Sequence, residues 1–323
     1  MARLVPYFTP TGARISYIVA SRAVAVSLMP ASAPRVGAFL LGAPKSGTTW
    51  LASALEQHPG ICVSKPKEPN EIATHKGTFR RNDSSPDWER YSSCYTGGGL
   101  RIDCSVHALA CPIAPSRVAD YWPEARFIVC LREPVSRTVS HWGMILDTEE
   151  DKRNGADWSD FAVAWADSRL HMDTLYGASM ARWLEYFGRG SFLFIEAKRM
   201  RDEPESVLSE VVEHLDLAPH GFDLGAVHNT NPAEDRRPLT LFGRAFKFTA
   251  SLIPNLIKRP VVSALQDRGM NVYKMPILSR GRSIGRRAGP EHYAMLGEQV
   301  RNDLESLEEL TGFSTTHWRE SLQ

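Results

Sequence analysis

Apolar positions along this chain gather in short runs separated by amphipathic stretches. Val36 to Leu41 is an apolar run of strand length, and Thr48 to Gln57 follows it with helical spacing. Ile61 to Ser64 predicts a brief second strand. Arg101 to Cys104, after the flexible Gly97-Gly98-Gly99, predicts a third with a weaker pattern. Arg126 to Leu131 (Arg-Phe-Ile-Val-Cys-Leu) reads as a buried strand, and Pro134 stands where a helix can begin, because its missing N–H costs nothing there. Leu175, Met180, Trp183, Leu184 and Phe187 form a core-facing stripe on a helix over Tyr176 to Phe187. Ser191 to Ile195 predicts another strand, Pro204 to Leu215 an amphipathic helix, and Glu291 to Leu310 the last helix. Such strand–helix alternation predicts an α/β fold: a single domain with a central, mainly parallel sheet flanked by helices. Residues 229–274 carry Pro and Arg throughout and read as loop-rich.

The first 35 residues fall outside this pattern. Ile15 to Met29 is apolar, preceded by Arg3 and Arg14 and followed by Ala31-Ser32-Ala33, which resembles a secretory signal. Arg22 interrupts the stretch and Pro34 follows where cleavage would fall. The run is also too short to span a bilayer. The expected division is therefore an N-terminal extension over 1–35 and one domain over 36–323. A targeting role for the extension, or a true start at Met29, stays open.

Composition narrows the function classes. With 38 basic and 37 acidic residues the net charge is +1, so nothing points to a general nucleic-acid binder. Anion binding must come from a few well-placed charges. The 5 cysteines show neither a CxxC pair nor a His/Cys cluster at metal-ligand spacing, and no metal is expected. An odd count without a framework suits reduced thiols and a cytoplasmic location.

The chemistry is concentrated in Leu40-Leu41-Gly42-Ala43-Pro44-Lys45-Ser46-Gly47-Thr48-Thr49-Trp50. A strand entering a Gly-containing loop and then a helix turns backbone N–H groups toward one point and adds the helix dipole, which suits phosphate oxygens. Thr48 and Thr49 add hydroxyl donors. The Walker A pattern GxxxxGK[ST] fits Gly42 and Gly47, but Thr48 stands where its lysine belongs. A nucleotide-dependent kinase is thus the alternative reading, at a disadvantage. A second segment, Leu131-Arg132-Glu133-Pro134-Val135-Ser136-Arg137-Thr138-Val139-Ser140, begins where the Arg126 to Leu131 strand ends. It puts a guanidinium at the carboxyl end of a strand, where open α/β sheets bind ligands.

Together these segments resemble the sulfotransferases that use 3′-phosphoadenosine-5′-phosphosulfate (PAPS), over roughly Val36 to Leu310. The Pro-Lys-x-Gly-Thr-Thr loop is the carrier of that resemblance, and it implies a P-loop-like nucleotide-binding core. By resemblance, Lys45, Ser46, Gly47, Thr48, Thr49 and Trp50 would grip the 5′-phosphosulfate, with Lys45 near the bridging oxygen, and Arg132 and Ser140 would hold the 3′-phosphate. A Lys-Gly-Arg gate loop before the last helix would add Gly285 and Arg286. Ile284 stands in place of its lysine, for which Arg282 or Arg287 could substitute. Ser64-Lys65-Pro66-Lys67-Glu68-Pro69 resembles the Lys-Glu-Pro segment of the glycan-type and bacterial branch, which makes Glu68 the expected general base. Glu71, His75 and His107 are its rivals. Asn70-Glu71-Ile72 stand where that branch has aromatics, which points away from a glycan. The implied reaction is metal-free, in-line sulfonyl transfer to a hydroxyl or amine of a glycan, lipid or natural product. Oligomeric state is not readable from the pattern.

Overall fold

The computed structural model describes residues 30, 32–227 and 286–322. Strands β1 (Ala38–Leu40), β2 (Ile61–Val63), β3 (Leu100–Asp103), β4 (Arg126–Leu131) and β5 (Phe192–Glu196) form one sheet in the order β2-β3-β1-β4-β5. Every neighbouring pair is parallel. Parallel neighbours require crossovers. The main helices of the described residues are α1 (Thr48–Leu55), α2 (Ala114–Tyr121), α3 (Pro134–Thr148), α4 (Tyr176–Leu184), α5 (Pro204–His214) and α6 (Pro290–Thr311).

Side chains alternate across the sheet, and each face has its own core. Phe39, Phe127, Val129 and Leu131 point to one side, into a cluster with Val135 and Val139 of α3, Tyr176, Met180 and Trp183 of α4, and Leu304 of α6. Ala38, Leu40, Ile128 and Cys130 point to the other, against Leu51 and Leu55 of α1 and Val207 and Val211 of α5. Burial on both faces explains why β4 is a continuous apolar run rather than an alternating one. Each fully buried Val, Leu, Ile, Phe or Met side chain among them contributes about 1.5–3 kcal/mol.

Two differences from the sequence pattern are informative. β1 is shorter than the apolar run around it, although Gly37 and Leu41 still donate backbone hydrogen bonds to Arg101 and Ile128. The weakly patterned β3 lies inside the sheet, between β2 and β1. Its buried Asp103 accepts a 2.6 Å hydrogen bond from the Tyr91 hydroxyl, a partner distant enough to be invisible in the local pattern. All five cysteines are free and buried.

The topology places the site. From β1 the chain moves toward β2 and β3, then crosses β1 to reach β4 on the opposite side. The crevice beyond the carboxyl ends of β1 and β4 is therefore the switch point at which open α/β sheets bind ligands. No helix among the described residues is long and apolar enough to cross a membrane. Residues 1–29, 31, 228–285 and 323 lie outside the described residues. They include most of the N-terminal extension, the 229–274 stretch, Arg282, Ile284 and Gly285.

Candidate active site

The loop after β1 leads into α1 with Gly47 at the N-cap, where φ is 82° and no side chain caps the helix. The first N–H groups of α1 thus keep their donor capacity. Lys45 also sits at positive φ, 71°, a conformation that costs a non-glycine residue free energy and tends to occur at functional sites. Ser46 is fully buried, and its hydroxyl has no hydrogen-bond partner. A loop with an uncapped helix start, a strained lysine and an unpaired buried hydroxyl suits an anion with several oxygens.

Arg132 directly follows β4, next to this loop. Its Nη1 lies 3.4 Å from the Lys45 carbonyl oxygen, and Lys45, Gly47, Trp50 and Arg132 line one cavity of about 410 Å³. Ala197, Met200, Arg201, Pro204 and Leu224 complete its walls. Burial pulls the Arg132 guanidinium below its ordinary pKa, and the like charge of Arg201 adds to this. The backbone around Arg132 is held from both sides. The Tyr176 hydroxyl donates to the Arg132 carbonyl at 3.0 Å, and Glu133 caps α3 by accepting from the Val135 and Ser136 N–H groups. The Tyr293 hydroxyl, from α6, reaches Glu133 at 3.2 Å. Ser140 lies on α3, half-buried, two turns beyond Arg132.

Glu68 follows β2 on the adjoining side. Its Oε1 is 3.1 Å from Lys67 Nζ, and the same ammonium lies 3.4 Å from Thr48 Oγ1. Lys67 therefore links the phosphate-type loop to the expected base. It belongs to the Lys-Glu-Pro segment, but nothing in the local pattern assigned it a role, because the contact joins the loop after β2 to the first residue of α1.

The three rival bases are differently placed. Glu71 is buried, 2.7 Å from Arg90, and accepts from the Asp87 N–H, so it secures the segment that follows it. His75 is buried, and burial followed by Arg81 lowers its pKa to about 4. His107 Nδ1 lies 3.2 Å from the buried Asp173 carboxylate. Burial opposes the charge of His107, but Asp173 outweighs it and holds the imidazole above its ordinary value. His141 and the fully buried Arg137 complete this cluster, with Arg137 Nη1 3.2 Å from His141 Nδ1 and Nη2 2.8 Å from Thr174 Oγ1. Asp173 is held far below the carboxylate range: burial would raise it, but His107, His141 and Arg137 prevail.

Arg286 packs against α3, the helix that carries Ser140. Its Nη1 meets Asp147 at 2.9 Å, and its guanidinium lies 5.5 Å from the centre of the Trp142 ring, both on α3. The structure thus gathers Lys45, Gly47, Trp50 and Arg132 around one cavity, with Glu68 joined to its loop through Lys67, and seats Arg286 against Trp142, Gly143 and Asp147 of α3. Among the described residues no three His, Cys, Asp or Glu side chains cluster in metal-binding geometry.

A family model of the sulfotransferase domain matches residues 37–221, more than half of the chain. The chain belongs to the sulfotransferase family. Curated relatives of this sulfotransferase include the bifunctional heparan sulfate N-deacetylase/N-sulfotransferase 4 of Mus musculus. It is 26% identical over 200 residues, which cover 56% of this chain and 22% of that protein. The heparan sulfate glucosamine 3-O-sulfotransferase 3B1 of Mus musculus is 24% identical over 190 residues, covering 56% of this chain and 46% of that protein. The chain thus spans less than half the length of either relative. A solved sulfotransferase from Alicyclobacillus acidocaldarius shares the fold, with a TM-score of 0.58 at 18% identity over 88% of this chain and 99% of that one. Membership in the family disfavours the kinase alternative, in keeping with Thr48 at the Walker lysine position.

Proposed function

We propose that this sulfotransferase takes PAPS as donor in the crevice between the ends of β1 and β4 and passes its sulfonyl group to an acceptor hydroxyl or amine by in-line displacement. One observation carries the reading: Lys45 and Arg132, from separate strand ends, line a single cavity. A doubly phosphorylated adenosine needs cations at both of its ends, and these two supply them. The loop 45–50 takes the 5′-phosphosulfate, and Arg132 with Ser140 takes the 3′-phosphate. Glu68 removes the acceptor proton as the acceptor atom bonds to sulfur. The bond from sulfur to the bridging oxygen breaks, and adenosine 3′,5′-bisphosphate leaves. Lys45 stabilises the charge that develops on that oxygen. Lys67 sits between loop and base, which favours placement of the acceptor oxygen beside both.

The relatives named for heparan sulfate support a glycan as acceptor, against the expectation drawn from the missing aromatics after Pro69. The test has two parts. Calorimetry should give tight binding of adenosine 3′,5′-bisphosphate and none of comparable strength for ATP with Mg²⁺; the opposite preference sinks the donor assignment. Lys45→Ala and Glu68→Ala should each lower turnover by about a hundredfold or more. Unimpaired turnover in Glu68→Ala would transfer the base to the His107–Asp173 pair. A donor-labelled screen across glycan, lipid and small phenolic acceptors would then identify the substrate class.

A further inference from the structure

The cavity shared by Lys45 and Arg132 has another basic wall. Arg201 lies in the short helix Arg199–Asp202, which follows β5 and is anchored by the buried Met200, itself a lining residue. Its basic neighbours are ion-paired: Lys198 with Asp202 at 2.7 Å, Arg199 with Glu203 at 3.3 Å and Glu210 at 2.6 Å. Arg201 has no such partner within 4.0 Å among the described residues.

We infer that Arg201 is a third donor-binding cation, set to contact the 3′-phosphate together with Arg132; this rests on the donor reading above. Two guanidinium groups on one cavity repel each other, and burial of Arg132 makes that repulsion costlier than it would be in water. An anion between them reverses the sign of the interaction. A phosphate that carries two charges offers enough acceptor oxygens for both forks. Arg286 is engaged by Asp147 and Trp142 of α3, and the expected gate lysine is replaced by Ile284. The helix after β5 supplies a further cation to the cavity.

The experiment compares two ligands that differ only in the 3′-phosphate. Arg201→Ala should weaken adenosine 3′,5′-bisphosphate by about tenfold, as expected for a charge-assisted hydrogen bond, and leave adenosine 5′-phosphate within error. Arg201→Lys should recover part of the loss, because it restores the charge without the fork. Equal losses for both ligands, or no loss for either, would overturn the assignment of Arg201 to the 3′-phosphate. If the wild-type protein bound neither ligand, the donor reading itself would fall, an outcome readily told apart from a silent Arg201 variant.

Discussion

Ser46 shows how a single buried side chain can point to the chemistry of a site. Its hydroxyl is buried without a partner, a condition that costs free energy in a protein that has no use for it. Replacing it with alanine removes the unpaired group, so Ser46→Ala should leave stability unchanged or raise it by up to about 1 kcal/mol. The same change should weaken adenosine 3′,5′-bisphosphate about tenfold, since a hydrogen bond to a charged oxygen is lost. Denaturant titration and calorimetry on the same preparation check both halves. A destabilised variant with undiminished affinity would make Ser46 a packing residue instead. Lys67 is the complementary case: it is held by Thr48 and Glu68, and its place between them is what joins donor loop and base.

Helix packing sets where these residues stand. α4 and α6 approach so closely at Gly177 that a Cβ there would lie 2.3 Å from the Asp303 carbonyl oxygen and 3.0 Å from the Leu307 nitrogen. Both are backbone atoms and cannot rotate away. The Asp303 carboxylate also accepts from the Gly177 and Ala178 N–H groups at 2.8 Å each, which satisfies the start of α4. Gly177→Ala should therefore destabilise the fold by about 1–3 kcal/mol, in the range of over-packed cores. Because the adjoining Tyr176 holds the Arg132 carbonyl, affinity for adenosine 3′,5′-bisphosphate should fall as well. Thermal melts and calorimetry read the two effects; a variant as stable as the wild type would show that α4 and α6 can separate freely.

Across the whole molecule, the buried histidines give stability a pH dependence whose sign can be worked out. His75 has an ordinary pKa of 6.5 that the fold lowers to about 4. His141 is pushed well below its ordinary value by burial and then by Arg137. The unfolded chain therefore binds protons at these sites first as pH falls. Their contribution is complete above pH 6.5 and is lost progressively as pH drops toward 4. His107 acts in the opposite sense: its raised pKa adds stability that is complete below 6.5 and lost as pH rises through the folded value. The depressed Asp173 contributes above the ordinary carboxylate value of 3.8, so it does not offset the histidines between pH 6.5 and 4. The share of unfolding free energy that His75 controls should fall across that interval, so His75→Gln should show a shallower decline than the wild type from pH 6.5 to 4. Parallel profiles for the two proteins, measured by urea titration at several pH values, would contradict this account.

Local pattern was enough for the strands buried on both faces, the Pro-initiated α3 and the two segments that carry Lys45 and Arg132. Each of these is dictated within about ten residues, by apolar continuity, by a fixed proline φ, or by the donors a turning loop presents. Tertiary structure decided the rest. It joined the ends of β1 and β4 at one cavity, put β3 in the sheet interior despite Arg101 and Asp103, and brought Arg201, Met200 and Leu224 to a wall that no motif announces. It also drew Asp173 beside His107, 66 residues away in the chain, and directed Arg286 to Asp147. Such pairings depend on crossover topology and on charges finding partners in a low-dielectric interior. Sequence spacing is silent on both, because the energy that selects them exists only once the chain has closed around them.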